Sequence, residues 1–402
     1  MANVTQLKHL EHLEDEMLNY GVEGCHAAVN FLRELAKMLG KKADATGFMQ
    51  TKWDGAPSVI CGTEPNSGMF FVGTKSVFNK TEPKMCFSED AVDRWYEGDL
   101  AKKLKYSLKY FKKLGINGVI QGDLLFTDDT RKTETIQGER VYSFRPNTIS
   151  YAIPTDHEIG QHVGNAKIGV VFHTHYTGTD LPTMQARAGA PIHTFQKVSE
   201  VAVISNDTAV QEVTLTTSEM SHFEQRINKI FQLCGKTGEF LDNIVEKTGT
   251  TGDKKFHVAS YLKQFFNSMI REGQAVGDVR TTLDKLITFY HEKMKKELAK
   301  IKTQKNLTAK RQLVYESEKY LDENESSFRY MIELYKEIQQ TKQFIIDKLD
   351  KLETFRTYVE TEKGYKVTTP EGYVLHQDGN MIKLVNRLEF AYNNFTIQKQ
   401  WR

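Results

Sequence analysis

Hydrophobic positions along the chain change their spacing several times, and each change predicts a different kind of element. Residues 5–40 carry apolar side chains three and four positions apart, as in "GCHAAVNFLRELAKML", which predicts helices. From about 47 to 215 the apolar runs are short, rich in β-branched and aromatic residues, and separated by Gly, Asn, Asp and Pro. This pattern predicts strands. One lysine-rich amphipathic helix, "LAKKLKYSLKYFKKLG", interrupts them.

Between about 216 and 362 the pattern becomes helical again, with four or five long helices and almost no proline. After 363 strands return, in "KGYKVTTPEGYVLHQDGNMIKLVN". This order predicts an α+β fold in which a helical insertion at 216–362 divides one sheet domain, formed by 46–215 and 363–402. The helices of residues 1–45 are expected to pack outside that domain. Two independent domains in series are the alternative.

Composition narrows the class of protein only a little. A chain of 402 residues, 39% hydrophobic and 26% charged, is typical of a soluble protein with more than one domain. No apolar run reaches membrane-spanning length, and the N-terminus is too charged for a signal peptide, so we expect a cytoplasmic protein. The four cysteines are far apart and form no CxxC pair, which disfavours both structural zinc and a disulfide framework.

The net charge of +2 does not require a polyanionic partner, but two basic stretches are candidates for one. Residues 293–311 hold eight Lys or Arg against one Glu, and residues 102–113 interleave lysines with aromatics. A solvated helix face is the ordinary explanation of such a run. The first stretch is nevertheless one-signed enough to be a candidate polynucleotide surface. Its candidate contacts are Lys293, Lys295, Lys296, Lys300, Lys302 and Lys305.

The candidate chemistry begins with Lys52, in "QTKWDGAPS" at the end of a predicted strand. By itself K-x-D-G is a weak motif, and Lys52 could be a surface cation. Further short motifs follow in a fixed order: "GTKS" (73–76), "VIQGDLLF" (119–126), "IGVVFHTHY" (168–176), "PEGYVLH" (370–376) and "MIKLVN" (381–386).

This succession resembles the covalent nucleotidyltransferase superfamily, which includes ATP-dependent RNA and DNA ligases and mRNA capping enzymes. The segment "PEGYVLHQDGNMIKL" is most similar to the corresponding part of phage RNA ligases, and the start of the chain resembles an uncharacterised family of tailed-phage proteins. The resemblance implies a ligase-type domain with antiparallel sheets around an ATP cleft. It covers roughly 47–176 and 364–390 and is silent about 216–362.

The resemblance also implies roles for individual residues. Lys52 would attack the α-phosphate of ATP, and Lys383 would neutralise charge on the phosphates. Glu371 and Asp123 would be ligands for Mg²⁺, or Mn²⁺, with Glu371 also steering Lys52 and Asp123 accepting from ribose hydroxyls. The remaining implied residues are Asp54 as a catalytic group, and Thr51, Gly55, Lys75 and Phe172 as contacts to the nucleotide, with Phe172 stacking on adenine.

Plainer interpretations apply to several of these positions. Phe172 could be a core residue, Asp123 and Glu371 could be carboxylates at strand ends, and Lys75 could lie in an exposed loop. His173 and His175 alternate along a strand and would share a face, as a two-histidine metal site requires. No third ligand is near in sequence, so a satisfied or exposed histidine pair is favoured.

Three departures from the ligase pattern affect what is expected. Pro57 replaces the arginine that many ligases carry two positions after the glycine, Met381 replaces the first lysine of a K-x-K strand, and His173 replaces an aspartate. These changes put efficiency and nucleotide choice in question more than the fold.

The predicted function is that of a monomeric ATP-dependent RNA ligase in a phage-infected bacterial host cell. RNA is favoured because only 19 residues follow Lys383, too few for an OB-fold domain. The same-class alternative is a DNA ligase that seals nicks with the helical insertion in place of that domain. The other alternative is a nucleic-acid-binding protein without turnover on a degenerate ligase scaffold.

Overall fold

A computed structural model describes residues 12–207, 213, 215–246, 258–351, 356–361, 364–367, 371–377 and 380–389. Within these ranges the helices are α1 (Glu16–Leu39), α2 (Glu89–Trp95), α3 (Gly98–Phe111), α4 (Glu158–Asn165), α5 (Thr217–Glu246), α6 (Val258–Arg271), α7 (Val279–Ala299), α8 (Gln304–Glu323) and α9 (Glu325–Leu349).

The strands are β1 (Phe48–Lys52), β2 (Ser58–Thr63), β3 (Phe70–Gly73), β4 (Val119–Thr127), β5 (Lys132–Ile136), β6 (Glu139–Phe144), β7 (Ser150–Pro154), β8 (Ile168–Thr177), β9 (Gln185–Ala188), β10 (Val201–Val203), β11 (Arg356–Thr361), β12 (Gly364–Val367), β13 (Gly372–Gln377) and β14 (Asn380–Leu384). The chain is therefore a mixed α/β protein with a large helical region, as the periodicity predicts.

The first sheet has six strands in the order β10-β8-β4-β2-β3, with β9 also paired to β8. Only β10 and β8 run parallel among its described pairs. One face of the sheet is covered by α3, whose Leu104 and Phe111 pack with Val59, Ile120 and Phe172 in one apolar cluster. The lysine-rich helix predicted from the sequence thus buries its apolar side and exposes much of its charge.

The other two sheets each join strands from the two sides of the helical segment. A five-stranded antiparallel sheet has the order β12-β11-β7-β6-β5, and Tyr358 of β11 pairs with Ser150 of β7. A three-stranded antiparallel sheet has the order β1-β13-β14. The helices therefore interrupt a unit whose sheets are completed by the later strands.

The return to strands occurs earlier than the predicted boundary at 363. Strand β11 already begins at Arg356, within the range assigned to helices from the sequence. The segment "RTYVET" is short, and four of its six residues are β-branched or aromatic, which is ordinary strand composition. Its partner β7 lies about 200 residues earlier in the chain. The local sequence around β11 therefore does not reveal the pairing.

The helical layer contains α1 as well as α5 to α9. Apolar side chains of α1, such as Leu32, share one core with α5, α9 and the three-stranded sheet, including Tyr373 and Ile382. Cys25 of α1 and Cys234 of α5 form a disulfide with Cα atoms 6.1 Å apart. The wide spacing of the cysteines predicts no disulfide framework, and for this pair, 209 positions apart in the sequence, that prediction is wrong.

A kink in α1 brings this helix against α5. Gly21 has φ of 61°, in the left-handed region that favours glycine, and a Cβ there would collide with the Asp242 carboxylate. The next amide, of Val22, donates to Asp242 Oδ1 at 2.9 Å. The glycine is therefore required both by the backbone conformation and by the close approach of α5.

A buried ionic cluster joins the helical layer to the end of the three-stranded sheet. Lys342 of α9 donates to both oxygens of Glu14, at 2.7 and 2.6 Å, and both side chains are almost fully buried. Arg387, three residues after β14, donates to Asp15 at 3.0 Å and to the Tyr335 hydroxyl at 2.9 Å. Removing one member would leave an uncompensated buried charge, so the cluster fixes how these segments meet.

None of the helices in the described part of the chain combines the length and apolar character that crossing a bilayer requires.

Candidate functional site

Lys52 lies at the end of β1, where strand pairing brings it beside a residue 319 positions away. Backbone pairing sets Lys52 opposite Gly372, the first residue of β13. Glu371 immediately precedes that strand, and Lys52 Nζ donates to Glu371 Oε1. The side chains are 24% and 11% exposed, so the ion pair is largely shielded from solvent.

Asp54 of the K-x-D-G turn holds a neighbouring loop. Its Oδ1 accepts from Asn147 Nδ2 at 2.7 Å, and its Oδ2 accepts from the Thr148 amide at 2.8 Å. Its own amide donates to the Tyr151 hydroxyl at 2.6 Å. The carboxylate is therefore buried and saturated with protein donors. Through these hydrogen bonds Asp54 fixes the turn after Lys52. Its negative charge also contributes to raising the pKa of Lys52.

Gly55 allows this turn to pass directly over β4. A Cβ at Gly55 would lie 2.6 Å from Asp123 Cβ and 3.1 Å from the Leu124 carbonyl, closer than side-chain carbons approach. The next amide, of Ala56, donates to that carbonyl at 2.9 Å. The glycine of the motif is thus explained by backbone proximity to β4, the strand that carries Asp123.

Asp123 faces the Lys52 side of the sheet beside a β-bulge. In the pairing of β4 with β8 the register shifts between Gln121 and Gly122, which leaves His173 as the extra residue. His173 Nε2 lies 3.5 Å from Asp123 Oδ2. Bulges re-aim side chains and are common next to active sites. Here the bulge turns a histidine toward the carboxylate, at the position where the ligase pattern has an aspartate.

Lys383 reaches the same region from β14. Its backbone pairs with Val374 of β13, and it also forms an isolated bridge with His12, next to the buried ionic cluster. Burial is the largest cause that lowers the pKa of His12, followed by the charges of Arg387 and Lys342. The charges of Lys383 and Lys52 lower this pKa further. We refer to Lys52, Asp123, Glu371 and Lys383 together as the Lys52 site.

Burial and neighbouring charges shift the pKa of Lys52, of Glu371 and of Asp123 in opposite directions. Burial alone would lower the pKa of Lys52, but the charge and hydrogen bond of Glu371, with Asp123 and Asp54, outweigh it and raise that pKa. Burial raises the pKa of Glu371 to about 7, against the opposing charge of Lys52. Burial would also raise the pKa of Asp123, yet contacts with His173 and the charge of Lys52 lower it. At neutral pH, Lys52 is therefore protonated and Glu371 is close to its midpoint.

The structure places Phe172 in the core, which corrects its predicted role in stacking on adenine. Its ring is 1% exposed and packs edge-on against Phe111 of α3 at 5.4 Å and against Phe195 at 5.6 Å. Neighbouring residues on a strand point to opposite faces, so Phe172 points toward α3 while Val171 points away from it. No face of the ring is available to a base.

Thr51 and Lys75 lie in quite different surroundings. The Thr51 amide donates to the Asn206 carbonyl at 2.6 Å, which ties β1 to the segment after β10, and the residue is buried. Lys75 is exposed in a 3₁₀ turn that follows β3, the edge strand of the six-stranded sheet. No contact within the described part of the chain joins Lys75 to the Lys52 site.

The two histidines of "FHTHY" do not converge. His173 turns to Asp123, whereas His175 Nδ1 bonds the Gly189 carbonyl at 2.7 Å. Across the described ranges, no group of three or more His, Cys, Asp or Glu side chains is arranged to hold a metal ion.

The one-signed basic stretch lies around the turn between α7 and α8. Five of its predicted contacts are exposed and form no ion pair within the described residues: Lys295, Lys296, Lys300, Lys302 and Lys305, which we call the basic turn. Lys293 is different, because it donates to Gln264 and lies over the Tyr261 ring at 4.8 Å. Burial lowers the pKa of Lys293, which fits a packing role.

Sequence reasoning missed the supporting residues of the site. Asn147 and Tyr151 hold Asp54 and its turn, and Arg387 fixes the segment after β14. No local motif surrounds these residues. Their contacts join segments that are far apart in the chain, which no local pattern reveals.

Comparison with known proteins places the whole chain in one family. The chain belongs to the family of unknown function DUF6267, whose model matches residues 3–399. No curated protein and no solved structure matches the chain. The family match spans both the sheets and the helical layer.

Proposed function

We propose that the protein is an ATP-dependent polynucleotide ligase that acts through a lysyl-AMP intermediate on Lys52. The observation that carries this proposal is the contact of Lys52 with Glu371, the K-x-D-G lysine with the E-G glutamate. Two further residues named by the same resemblance, Asp123 and Lys383, act electrostatically on this pair. Three of the other motifs, those of Asp123, Glu371 and Lys383, therefore support the proposal, whereas Lys75 and Phe172 lie apart from the pair.

In the first step, Lys52 Nζ attacks the α-phosphorus of ATP. A P–N bond forms, the bond from the α-phosphorus to the bridging oxygen breaks, and pyrophosphate leaves. The ammonium must first lose a proton, and Glu371 Oε1 is the acceptor already hydrogen-bonded to it. Glu371 can hold that proton near neutral pH because burial raises its pKa to about 7. Lys383 would offset negative charge on the phosphates as the bond breaks.

The resemblance implies two further steps. A 5′-phosphate oxygen attacks the same phosphorus, the P–N bond breaks, and the Lys52 amine recovers a proton from Glu371. A 3′-hydroxyl then attacks the 5′-phosphate, loses its proton and displaces AMP. The nitrogen also loses a second proton, to pyrophosphate or solvent, as the phosphoramide forms, and after the P–N bond breaks the neutral amine takes one back from solvent. With both protons counted, Lys52 and Glu371 return to their starting protonation states.

The carboxylates fit a divalent cation that arrives with ATP better than a resident one. Asp123 and Glu371 are the two acids of the Lys52 site, and each already contacts a protein cation or histidine. Mg²⁺ is commonly bound by one or two carboxylates together with substrate phosphates, and Mn²⁺ accepts similar oxygen ligands. Such a cation would supply charge neutralisation at the phosphates.

The proposed polynucleotide surface is the basic turn. Its exposed lysines are free of ion pairs within the described residues, so they can neutralise backbone phosphates. RNA is preferred over DNA because "PEGYVLHQDGNMIKL" is most similar to phage RNA ligases. A nick-sealing DNA ligase is the alternative of the same class.

The test is covalent labelling of the full chain with ATP labelled at the α-phosphate, in the presence of Mg²⁺. Wild-type protein should retain acid-labile label on the tryptic peptide that contains Lys52, and Lys52→Ala should retain none. Lys197→Ala, which removes an exposed lysine elsewhere, should label normally. Label that persists in Lys52→Ala, or maps to another peptide, would refute the proposal. End joining on single-stranded RNA and on nicked duplex DNA then separates the two ligase alternatives.

A binding protein without turnover is the second candidate. Two observations favour it: Lys52 is ion-paired and protonated, and Phe172 is unavailable to a base. This candidate requires RNA binding at the basic turn with no covalent label in the wild type.

A further inference from the structure

A cleft between the six-stranded and five-stranded sheets lies outside the Lys52 site. Its volume is about 390 Å³, and none of Lys52, Asp123, Glu371 and Lys383 lines it. The end of β4 forms one wall, and β6, β7 and the loop that follows β6 form another. We call it the inter-sheet cleft. Its volume is near the lower end of small-molecule sites, about 300–1,000 Å³, which suits a single nucleotide-sized group.

A buried hydroxyl without a partner lines this cleft. Ser150 is 3% exposed, and its Oγ has no hydrogen-bond partner among the residues that the structure describes. Buried polar atoms are normally satisfied, and leaving a hydroxyl unpaired costs about 1–3 kcal/mol. A ligand oxygen in the cleft would provide the missing partner.

The charge around the cleft favours an anion. Its two acids are already bound, Asp99 by Lys103 at 2.8 Å and Asp129 by Lys102. Lys132 is exposed at the cleft and has no ion pair within the described residues, and Arg145 adds a second cation. The balance that remains at the cleft is therefore positive.

Helix α3 adds to this positive character because it begins at the cleft. Asp99, in its first turn, lines the cleft, and the N-cap residue Glu97 makes no side-chain capping bond. The first amides of a helix attract anions, phosphates in particular. Residues of the first turns of α3, the Ser150 hydroxyl and Lys132 thus all line one cleft.

We propose that the inter-sheet cleft binds a nucleoside 5′-monophosphate unit, with the phosphate near Ser150, Lys132 and the start of α3. Hydroxyls, a helix terminus and cations together are typical of phosphate recognition. The half-buried ring of Tyr365 at the cleft offers a surface for the base. The unit could be a free nucleotide or the 5′ end of a strand, since both present the same group.

The cleft and the Lys52 site share one loop. Arg145 lines the cleft and donates through Nε to the Asn147 carbonyl at 3.2 Å, and Asn147 in turn donates to Asp54. A ligand in the cleft would therefore act, through this loop, on the turn that follows Lys52. The binding proposal itself does not depend on whether Lys52 becomes adenylylated.

The test is calorimetric titration of the full chain with AMP. Ser150→Ala removes one hydroxyl and should weaken AMP binding by about three- to tenfold, the value of one hydrogen bond. Lys132→Gln, on an exposed side chain, should weaken binding similarly and reduce its salt dependence. Lys197→Gln removes an equally exposed lysine outside the cleft and should leave binding unchanged.

A second arm of the experiment identifies the source of the monophosphate. A 5′-phosphorylated tetraribonucleotide is compared with the same strand bearing a 5′-hydroxyl. Phosphate-dependent strand binding that Lys132→Gln weakens assigns the site to strand ends. Binding of AMP alone assigns it to free nucleotide. Both outcomes support the cleft as a monophosphate site.

Three results would overturn the proposal. The wild-type chain could fail to bind both AMP and the phosphorylated strand, it could bind them as tightly after Lys132→Gln and Ser150→Ala, or binding could disappear only in Lys52→Ala. Labelling of Lys52 by ATP is measured on the same variants and should be unchanged in Lys132→Gln. Titration with AMP tests the cleft, and labelling of Lys52 tests the lysyl-AMP intermediate. The two proposals are therefore tested by separate measurements.

Discussion

Glu371 should make the protein less stable as the pH rises, and Glu371→Gln should remove that dependence. Burial raises the pKa of this carboxyl from 4.5 to about 7. The folded chain therefore keeps the proton up to about pH 7, while the unfolded chain releases it near 4.5. Between these values the folded state binds more protons, so the free energy of unfolding falls as the pH rises through this window and levels above it.

The size of the effect follows from the same difference in pKa. Each pKa unit corresponds to 1.36 kcal/mol, so the rise of Glu371 sets an upper limit of about 3 kcal/mol. We expect about 1–3 kcal/mol, because the side chain is 11% exposed and its pair with Lys52 is partly open to solvent. Glutamine cannot ionise, so the variant should lack this loss.

Urea denaturation at pH 5 and pH 8 measures the effect as a difference between proteins. The stability of Glu371→Gln relative to wild type should increase by about 1–3 kcal/mol between the two pH values, with unchanged m-values. Glu224→Gln, at an exposed helix position, should show no such change. If the relative stability is the same at both pH values, or moves in the opposite direction, Lys52 outweighs burial and the electrostatic account of the site is wrong.

Three further expectations concern the Lys52 site, the basic turn and the disulfide. Lys383→Ala should lower Lys52 labelling by about 100- to 1000-fold, because it removes charge stabilisation at the phosphates, while circular dichroism stays unchanged. Near-wild-type labelling would mean that β14 has another role. Neutralising Lys295, Lys296, Lys300 and Lys302 together should lower the slope of log affinity against log salt by about 0.7–0.9 for each lost phosphate contact, with Lys52 labelling preserved. An unaltered slope would leave the basic turn as a solvated helix face. Cys25→Ser should lower the free energy of unfolding by about 2–5 kcal/mol under oxidising conditions, measured by urea denaturation, and reductant should abolish the difference from wild type.

The sequence predicts features whose cause is local. The spacing of apolar residues identifies the helical segment, since a helix needs contacts only three or four positions apart. Gly55 could be recognised as part of a motif because its constraint, the absence of a side chain beside β4, is a property of one position. Lys52 and Glu371 are both visible as members of short motifs.

Features that depend on residues far apart in the chain could not be predicted from the sequence. Phe172 lies in an apolar run in which both faces of the strand are buried, so the alternation that would show its direction is absent. The bulge that turns His173 toward Asp123 arises from the pairing of β4 with β8 and has no sequence signal of its own. The bond between Cys25 and Cys234 follows from the packing of α1 on α5, which no spacing rule encodes.

The pairing of β1 with β13 also sets an order of events during synthesis. Lys52 leaves the ribosome 319 residues before Glu371. At about 5–20 residues per second, the lysine waits roughly 15–60 s for its partner. Throughout that time β1 has neither of the strands that complete its sheet, and its apolar residues must be shielded by α1 or by a chaperone. A chain whose synthesis ends within the helical segment would therefore carry the lysine without the glutamate.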